Sequence, residues 1–371
     1  MRIRFVLAAV ALPLAGPLSA QGSTALYSQW SGLGGFDYQR YGFDKGYSVQ
    51  SGSQWSIPLV LIAPLGGHAS VDLTTHYAHT DVTDTATLTH SGLTDTQIRL
   101  LYTIGAQRAV ASISINLPTG KHSFATDSFR VASGVSSTYL SFPVNNLGSA
   151  FGVTTGLAYA TPAGAWNLGV AGSVRVQANY RPFTDDSVDY KPGLEGRLRV
   201  GADRLLGERG RMLLGVTFST FSTDEFTGGS SSGLGPFNPG SRFITEVGYA
   251  YAWGRTSLTL GAWDYYRMAG STGATTLSDT KENVFNTEIR LARQLSPRFA
   301  IEPLAAFRQW SPADFRGGRL YSFGANLRFG LSDQWSGVAS GRFGTGWIYE
   351  QVVGRSDVTA TGLSLYLRYQ P

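Results

Sequence analysis

The chain has 371 residues, among them 46 glycines, 20 phenylalanines, 18 tyrosines and 8 tryptophans, with 15% charged residues, no cysteine and a formal charge of +5. The absence of cysteine excludes a disulfide scaffold, a metal-thiolate site and a cysteine-borne lipid anchor. A mean hydropathy of −0.06 with 42% hydrophobic residues is too polar for a helical membrane protein, and the basic residues lie singly among aromatics, so no nucleic-acid partner is expected despite a pI of 9.3.

The first predicted element is a secretory signal peptide over residues 1–20. Arg2 and Arg4 precede the apolar stretch Phe5 to Leu14, and Leu18-Ser19-Ala20 leads to the cut. Its removal leaves a charge of +3. Past it, no apolar run reaches the ~20 residues that a spanning helix needs. Residues 21–46 form an N-terminal segment in which Ala25-Leu26-Tyr27-Ser28-Gln29-Trp30 alternates only weakly, so it reads either as a first strand or as a plug.

Residues 47–371 carry one rhythm: ten to fifteen residues of alternating apolar and polar character, a short turn, a second such run, then a long polar loop. A transmembrane β-barrel demands this pattern, because lipid satisfies no backbone group and because periplasmic turns are short while outer loops are long. Short turns fall at Pro64 to Gly67, Gly105 to Gln107, Thr161 to Gly164, Gly207 to Gly210, Gly254 to Thr256, Ser296 to Arg298 and Ser332 to Gln334. Polar loops fall near residues 81–92, 119–147, 182–189, 223–240, 270–281, 311–318 and 350–357. Fifteen runs follow Tyr47, and even parity calls for one more near Ala25 to Tyr38. The predicted fold is therefore all-β, an antiparallel up-and-down barrel of about 16 strands, or 14 with an N-terminal plug. One face of most runs is lipid-like, as in Phe243, Val247, Tyr249, Tyr251 and Trp253.

If that face meets lipid, the opposite parity lines the lumen. It carries Arg99, Arg175, Arg181, Arg197, Arg199, Arg290, Arg308, Arg328, Arg342 and Arg368 against Glu195, Asp203, Glu246, Glu288 and Glu302. The excess of about five positive charges favours anionic solutes if the groups face water. A second reading stands beside it, in which the charges pair across strands and fill a narrow barrel. Lysine is confined to Lys45, Lys121, Lys191 and Lys281, in or beside the loops.

The longest connection runs from Pro118 to Gly148 and is the third outer loop in the sixteen-strand count. In this place it resembles the inward-folded loop of general porins, which implies a constriction near Lys121, His122, Asp127 and Arg130. A loop lying on the outer surface is the other reading. The stretch Asn116 to Gly120 resembles a strand end of the phenol-degradation and FadL-type outer-membrane transport proteins, which implies a gated route for hydrophobic compounds with an N-terminal plug. The last run, Gly362 to Tyr369, resembles the C-terminal signal read by the barrel-assembly machinery, although Gln370 and Pro371 follow the aromatic residue.

The chain has five histidines. His76 shares an inward face with Asp72, and His79 lies by Asp81 near the outer rim. Residues three apart on a strand face opposite sides, so these two histidines cannot readily share an ion. No serine has the spacing of barrel phospholipases, and no aspartate pair tops a loop as in barrel proteases. Neither enzyme activity, metal nor cofactor is expected. The expected function is passive diffusion of small solutes, with a gated hydrophobic transporter or a closed structural or adhesive barrel as alternatives. The expected partners are outer-membrane lipid and lipopolysaccharide. Glycine- and alanine-rich runs such as Phe151 to Ala160 leave a homo-oligomer open.

Overall fold

The computed structural model describes residues 30–44, 49–84, 86–105, 108–125, 131–132, 136–229, 235–272, 281–313, 316–350 and 354–371. The predicted signal peptide and the loop residues Asp127 and Arg130 lie outside them.

Seventeen strand segments form the wall. They are β1 (Ser31–Phe43), β2 (Ser51–Pro64), β3 (Ala69–Thr83), β4 (Thr87–Leu93), β5 (Thr96–Ile104), β6 (Ala109–Leu117), β7 (Gly152–Ala163) and β8 (Trp166–Gln177). After the short β9 (Asp189–Lys191) come β10 (Glu195–Leu206) and β11 (Gly210–Phe221), then the short β12 (Glu225–Thr227) and β13 (Phe237–Asn238). The wall resumes with β14 (Arg242–Trp253) and β15 (Thr256–Arg267) and, past the short β16 (Ser271–Thr272), ends with β17 (Glu282–Ser296), β18 (Phe299–Pro312), β19 (Gly318–Gly330), β20 (Trp335–Glu350) and β21 (Gly354–Tyr369). Each wall strand pairs antiparallel with its neighbours, and β21 closes on β1 from Gly32↔Tyr369 to Phe43↔Val358. Successive halves of β3 pair with β4 and β5, so those two share one position. The ring therefore has sixteen positions.

The weakly alternating N-terminal segment supplies the sixteenth strand, six residues later than the sequence suggests. Its pattern is faint because Gly32, Gly34, Gly35 and Gly42 occupy four of thirteen positions. Pairing with β2 on one side and β21 on the other fixes it nonetheless. The fourteen-strand alternative is thereby set aside. The predicted polar loop at 81–92 is also corrected, since β3 runs to Thr83 and β4 starts at Thr87. These polar residues continue the wall beyond the apolar band, where hydropathy no longer marks a strand.

The six predicted short turns that lie wholly within the described residues are all at one end of the barrel. Gly164 shows the chemistry: with φ 61° it opens the two-residue link between β7 and β8, a position that type II′ hairpins reserve for glycine. The outward face carries apolar side chains such as Ile57, Leu59 and Leu61 on β2 and Leu363, Leu365 and Leu367 on β21. No helix is long and apolar enough to cross a membrane, which leaves crossing to the strands.

Candidate functional site in the barrel lumen

The 34-residue connection between β6 and β7 folds into the barrel. Its roots are tied at the break between β4 and β5. There Asp95 accepts hydrogen bonds from Ser149 N (2.7 Å), Ser149 Oγ (2.8 Å) and Asn116 Nδ2 (2.8 Å) through Oδ2, and from Gly120 N (3.1 Å) through Oδ1. The two roots cross so closely that a Cβ on Gly120 would sit 2.1 Å from the Leu147 carbonyl oxygen.

From the roots the loop follows the inner wall. Val144 and Leu147 pack on Ala78 of β3. Gln54 of β2 acts as a peptide mimic, accepting from Val144 N at 2.8 Å and donating to Val144 O at 2.7 Å. Phe142 meets Tyr41 of β1 edge-on, and the Tyr41 hydroxyl donates to Leu140 O. Tyr139, fully buried, donates to the carbonyls of Arg319 (3.1 Å) and Trp347 (3.2 Å), while Arg308 Nη1 donates to Tyr139 O at 2.8 Å. Thr138 donates to Glu282 of β17. One apolar cluster joins Tyr139, Leu140 and Phe142 to Tyr41, Leu320, Ile348, Val358 and Ala360. Ser141, the one non-glycine residue of positive φ among the described residues, makes the bend that sends Leu140 and Phe142 into this cluster.

The loop thus covers the inner face from β17 round to β3. Among the described residues the inner face of β7 to β15 has no comparable cover. Side-chain exposure marks the difference at its extremes: Arg197 on β10 is 51% exposed, whereas Arg290 on β17 is 11% and Glu302 on β18 is 5% exposed, while Arg342 on β20, at 34%, is as open as Arg175 and Arg199 on the other wall. On β15, Trp263 lies opposite Glu246 and Asn286, two inward positions, and is still 40% exposed.

The inward charges pair extensively. Glu195 lies 2.6 Å from Arg197 and 3.9 Å from Arg175. Glu246 pairs with Arg199, and Asp203 lies 3.3 Å from Arg211. Glu288 bridges Arg290 and Arg342, and Glu302 binds Arg328 at 2.7 Å with Arg290 at 4.0 Å. Arg99 and Asp72 meet at 2.8 Å, at the junction of the covered and uncovered walls. Arg308 instead donates to Asn286 Oδ1 at 2.7 Å, and Arg368 sits near the turn end of β21.

Arg181 is a correction. It lies past the end of β8, in the outer loop, and pairs with Asp189 at 2.9 Å. Strand parity was extended there beyond the strand's true end. Three inward arginines were not foreseen, Arg211, Arg242 and Arg267, nor were the inward acids Asp37 and Glu282. On β7 to β15 the strands therefore turn six arginines inward (Arg175, Arg197, Arg199, Arg211, Arg242, Arg267) against three acids (Glu195, Asp203, Glu246). On β17 to β2 the count is five arginines against Asp37, Glu282, Glu288 and Glu302. Most of the positive excess lies on the uncovered wall.

Lys121 is exposed at the loop root, its backbone N–H donating to Leu93 O, and the His122 ring meets Tyr180 edge-on with centroids 6.3 Å apart. Above the wall, β9 and β12 pair into a small sheet in which the Tyr190 hydroxyl donates to Asp224 at 2.6 Å. Burial first, and then that carboxylate, push the Tyr190 hydroxyl well above its ordinary pKa. His79 pairs with Asp81 at 3.3 Å on the outward face, and Asp72 is taken by Arg99; the inward carboxylate whose charge reaches His76 is Asp37, which accepts from the Tyr366 hydroxyl. No cluster of three metal-ligating side chains occurs among the described residues.

No protein-family model matches the chain, and no curated protein matches it in sequence. Solved structures do match in fold. A bacterial polysaccharide outer membrane secretin superposes with a TM-score of 0.50 at 10% identity, over 92% of this chain and 98% of that one. An outer membrane channel from Pseudomonas putida F1 gives 0.41 at 10% identity over 92% and 96%, and a Pseudomonas aeruginosa FadL homologue gives 0.44 at 9% over 94% and 93%. The closed sixteen-stranded wall and the superposition on the secretin together place the chain's fold among the outer-membrane β-barrels.

Proposed function

We propose that this protein is an outer-membrane channel through which small anionic solutes diffuse along the uncovered β7 to β15 wall. The carrying observation is the asymmetry of the lumen. An inward loop is bonded down over one wall, while the facing wall keeps half-exposed Arg197 beside Arg175 and Arg199. A guanidinium held by one carboxylate still presents N–H edges to a passing carboxylate or phosphate, and it never loses its charge. An excess of positive charge in a low-dielectric cleft raises the local anion concentration.

The loop serves this reading as a constriction of fixed shape. Its anchors reach eight different strands, and its buried side chains are those of a packed core. The export that the reading requires falls to the predicted signal peptide. No enzymatic step is assigned: the inward Asp72, Glu195, Glu246, Glu288 and Glu302 are held by arginines, and Asp37 accepts from the Tyr366 hydroxyl.

Planar-bilayer recordings of the purified protein under a potassium chloride gradient test the proposal. Conductance with a reversal potential on the anion-selective side is expected. No conductance, or cation preference, would overturn it.

A further inference from the structure

The outward face at the loop end of β19 to β21 carries a cluster that the lumen does not use. Arg319 shares its parity with the lipid-facing Tyr321 and Phe323, and its guanidinium lies 5.9 Å from the Trp347 ring centre. Arg355 approaches the same ring at 5.7 Å, and Arg316 stands 5.5 Å from the Tyr349 ring. The two rings meet edge-on, with centroids 5.6 Å apart. All three arginines are exposed. Next to them on β1, exposed Arg40 lines a cleft of about 750 Å³ with Asp44, Asp357 and Thr359.

The arrangement is specific in what it leaves free. A guanidinium held over an aromatic ring by cation–π attraction uses none of its N–H groups on the ring's account, and those groups match two oxygens of a phosphate. Among the described residues the one acid within ion-pair distance of these arginines is Asp357, which meets Arg355 at 3.2 Å. Arg319, Arg316 and Arg40 have no such partner there. The rings themselves belong at the boundary between hydrocarbon and water, where tryptophan and tyrosine settle. Below the cluster the same wall is apolar, with Phe323, Phe343, Leu363 and Leu365 exposed to the surroundings. A ligand fitted to this face therefore has acyl chains below and an anionic headgroup at the height of Trp347.

We infer that Arg316, Arg319 and Arg355, lying over the rings of Trp347 and Tyr349, form an outward-facing binding site for the phosphorylated headgroup of an outer-leaflet lipid. Arg40 extends the site across the β1–β21 seam. The headgroup spans neighbouring strands and pins the lipid to the seam where the first and last strands meet. Whether the lumen conducts does not enter this inference, so its test and the channel test fail separately.

The test is native mass spectrometry of the detergent-solubilised protein with lipid A carrying two phosphates, with the same lipid dephosphorylated, and with inorganic phosphate as competitor. Wild type is expected to retain phosphorylated lipid A and to release the dephosphorylated form. The triple variant Arg316→Gln/Arg319→Gln/Arg355→Gln should bind phosphorylated lipid A about tenfold more weakly or worse, the equivalent of losing one charge-assisted hydrogen bond. Its side chains are exposed, so the barrel should form, and heat-modifiable migration on gels checks that it does. Arg298→Gln at the turn end is the control and should bind as wild type. Unchanged retention in the triple variant, equal retention of the two lipids, or full displacement by millimolar inorganic phosphate would each overturn the inference.

Discussion

The two halves of the lumen are built from the same residue types and put them to different use. Between β17 and β2, inward arginines and glutamates interlock beneath a loop that packs like a domain core. Arg290, Glu302 and Tyr139 are nearly or wholly buried. Between β7 and β15, Arg197 and Trp263 face the lumen with half or nearly half of their surface open. The lesson is that an inward arginine is not by itself a solute contact. Burial of its ion pair makes it a structural strut, and exposure makes it part of a route.

The strongest way to break this contrast is to remove the cover. Replacing residues 121–148 with a short glycine-serine linker should leave the barrel assembled, because its strand pairing closes without the loop, and should raise single-channel conductance severalfold. An unchanged conductance would show that the loop does not narrow the route. A smaller disturbance is Tyr139→Ala, which deletes the fully buried ring at the loop's tip and should cost about 3–5 kcal/mol of anchoring. Thermal unfolding and current noise report it, and a silent variant would mean that the other anchors suffice. Asp95→Ala orphans donors at both roots and should cost about 1–3 kcal/mol. Protease cleavage after Lys121 should then accelerate relative to wild type. Least of all, Gln54→Leu removes the two bonds to Val144 while keeping the volume, and a modest loss of melting temperature is expected, with selectivity unchanged.

Much of this was legible in the sequence. The barrel, its short-turn end and its lipid face follow from period-two alternation sorted by connection length, and Phe243 to Trp253 on β14 needed nothing further. β1 was nearly illegible because glycine has no hydropathy to alternate, and because the information that makes it a strand lies in β2 and β21. Length and position alone admit both an inward and a surface loop, while Tyr139-Leu140-Ser141-Phe142-Pro143-Val144 is an apolar run in a long connection and signals burial. Gln54 and Asp95 left no such signal. A glutamine that mimics a peptide bond is recognisable only once the backbone it serves lies beside it. Parity named inward arginines along the strands, misled at Arg181 where the strand had ended, and carried no information about exposure, which depends on where the loop lies.

The most direct test of the division compares Arg197→Gln with Arg328→Gln in reversal-potential measurements at low salt. Arg197→Gln should lower the anion preference, by up to roughly fivefold if the charge acts on a solute at about 4 Å in water (~1 kcal/mol), and the effect should shrink in 1 M salt. Arg328→Gln should lower thermal stability, because Glu302 loses its 2.7 Å partner, and should leave the reversal potential in place. Equal shifts from the two variants, or a shift from Arg328→Gln alone, would contradict a solute route along the uncovered wall.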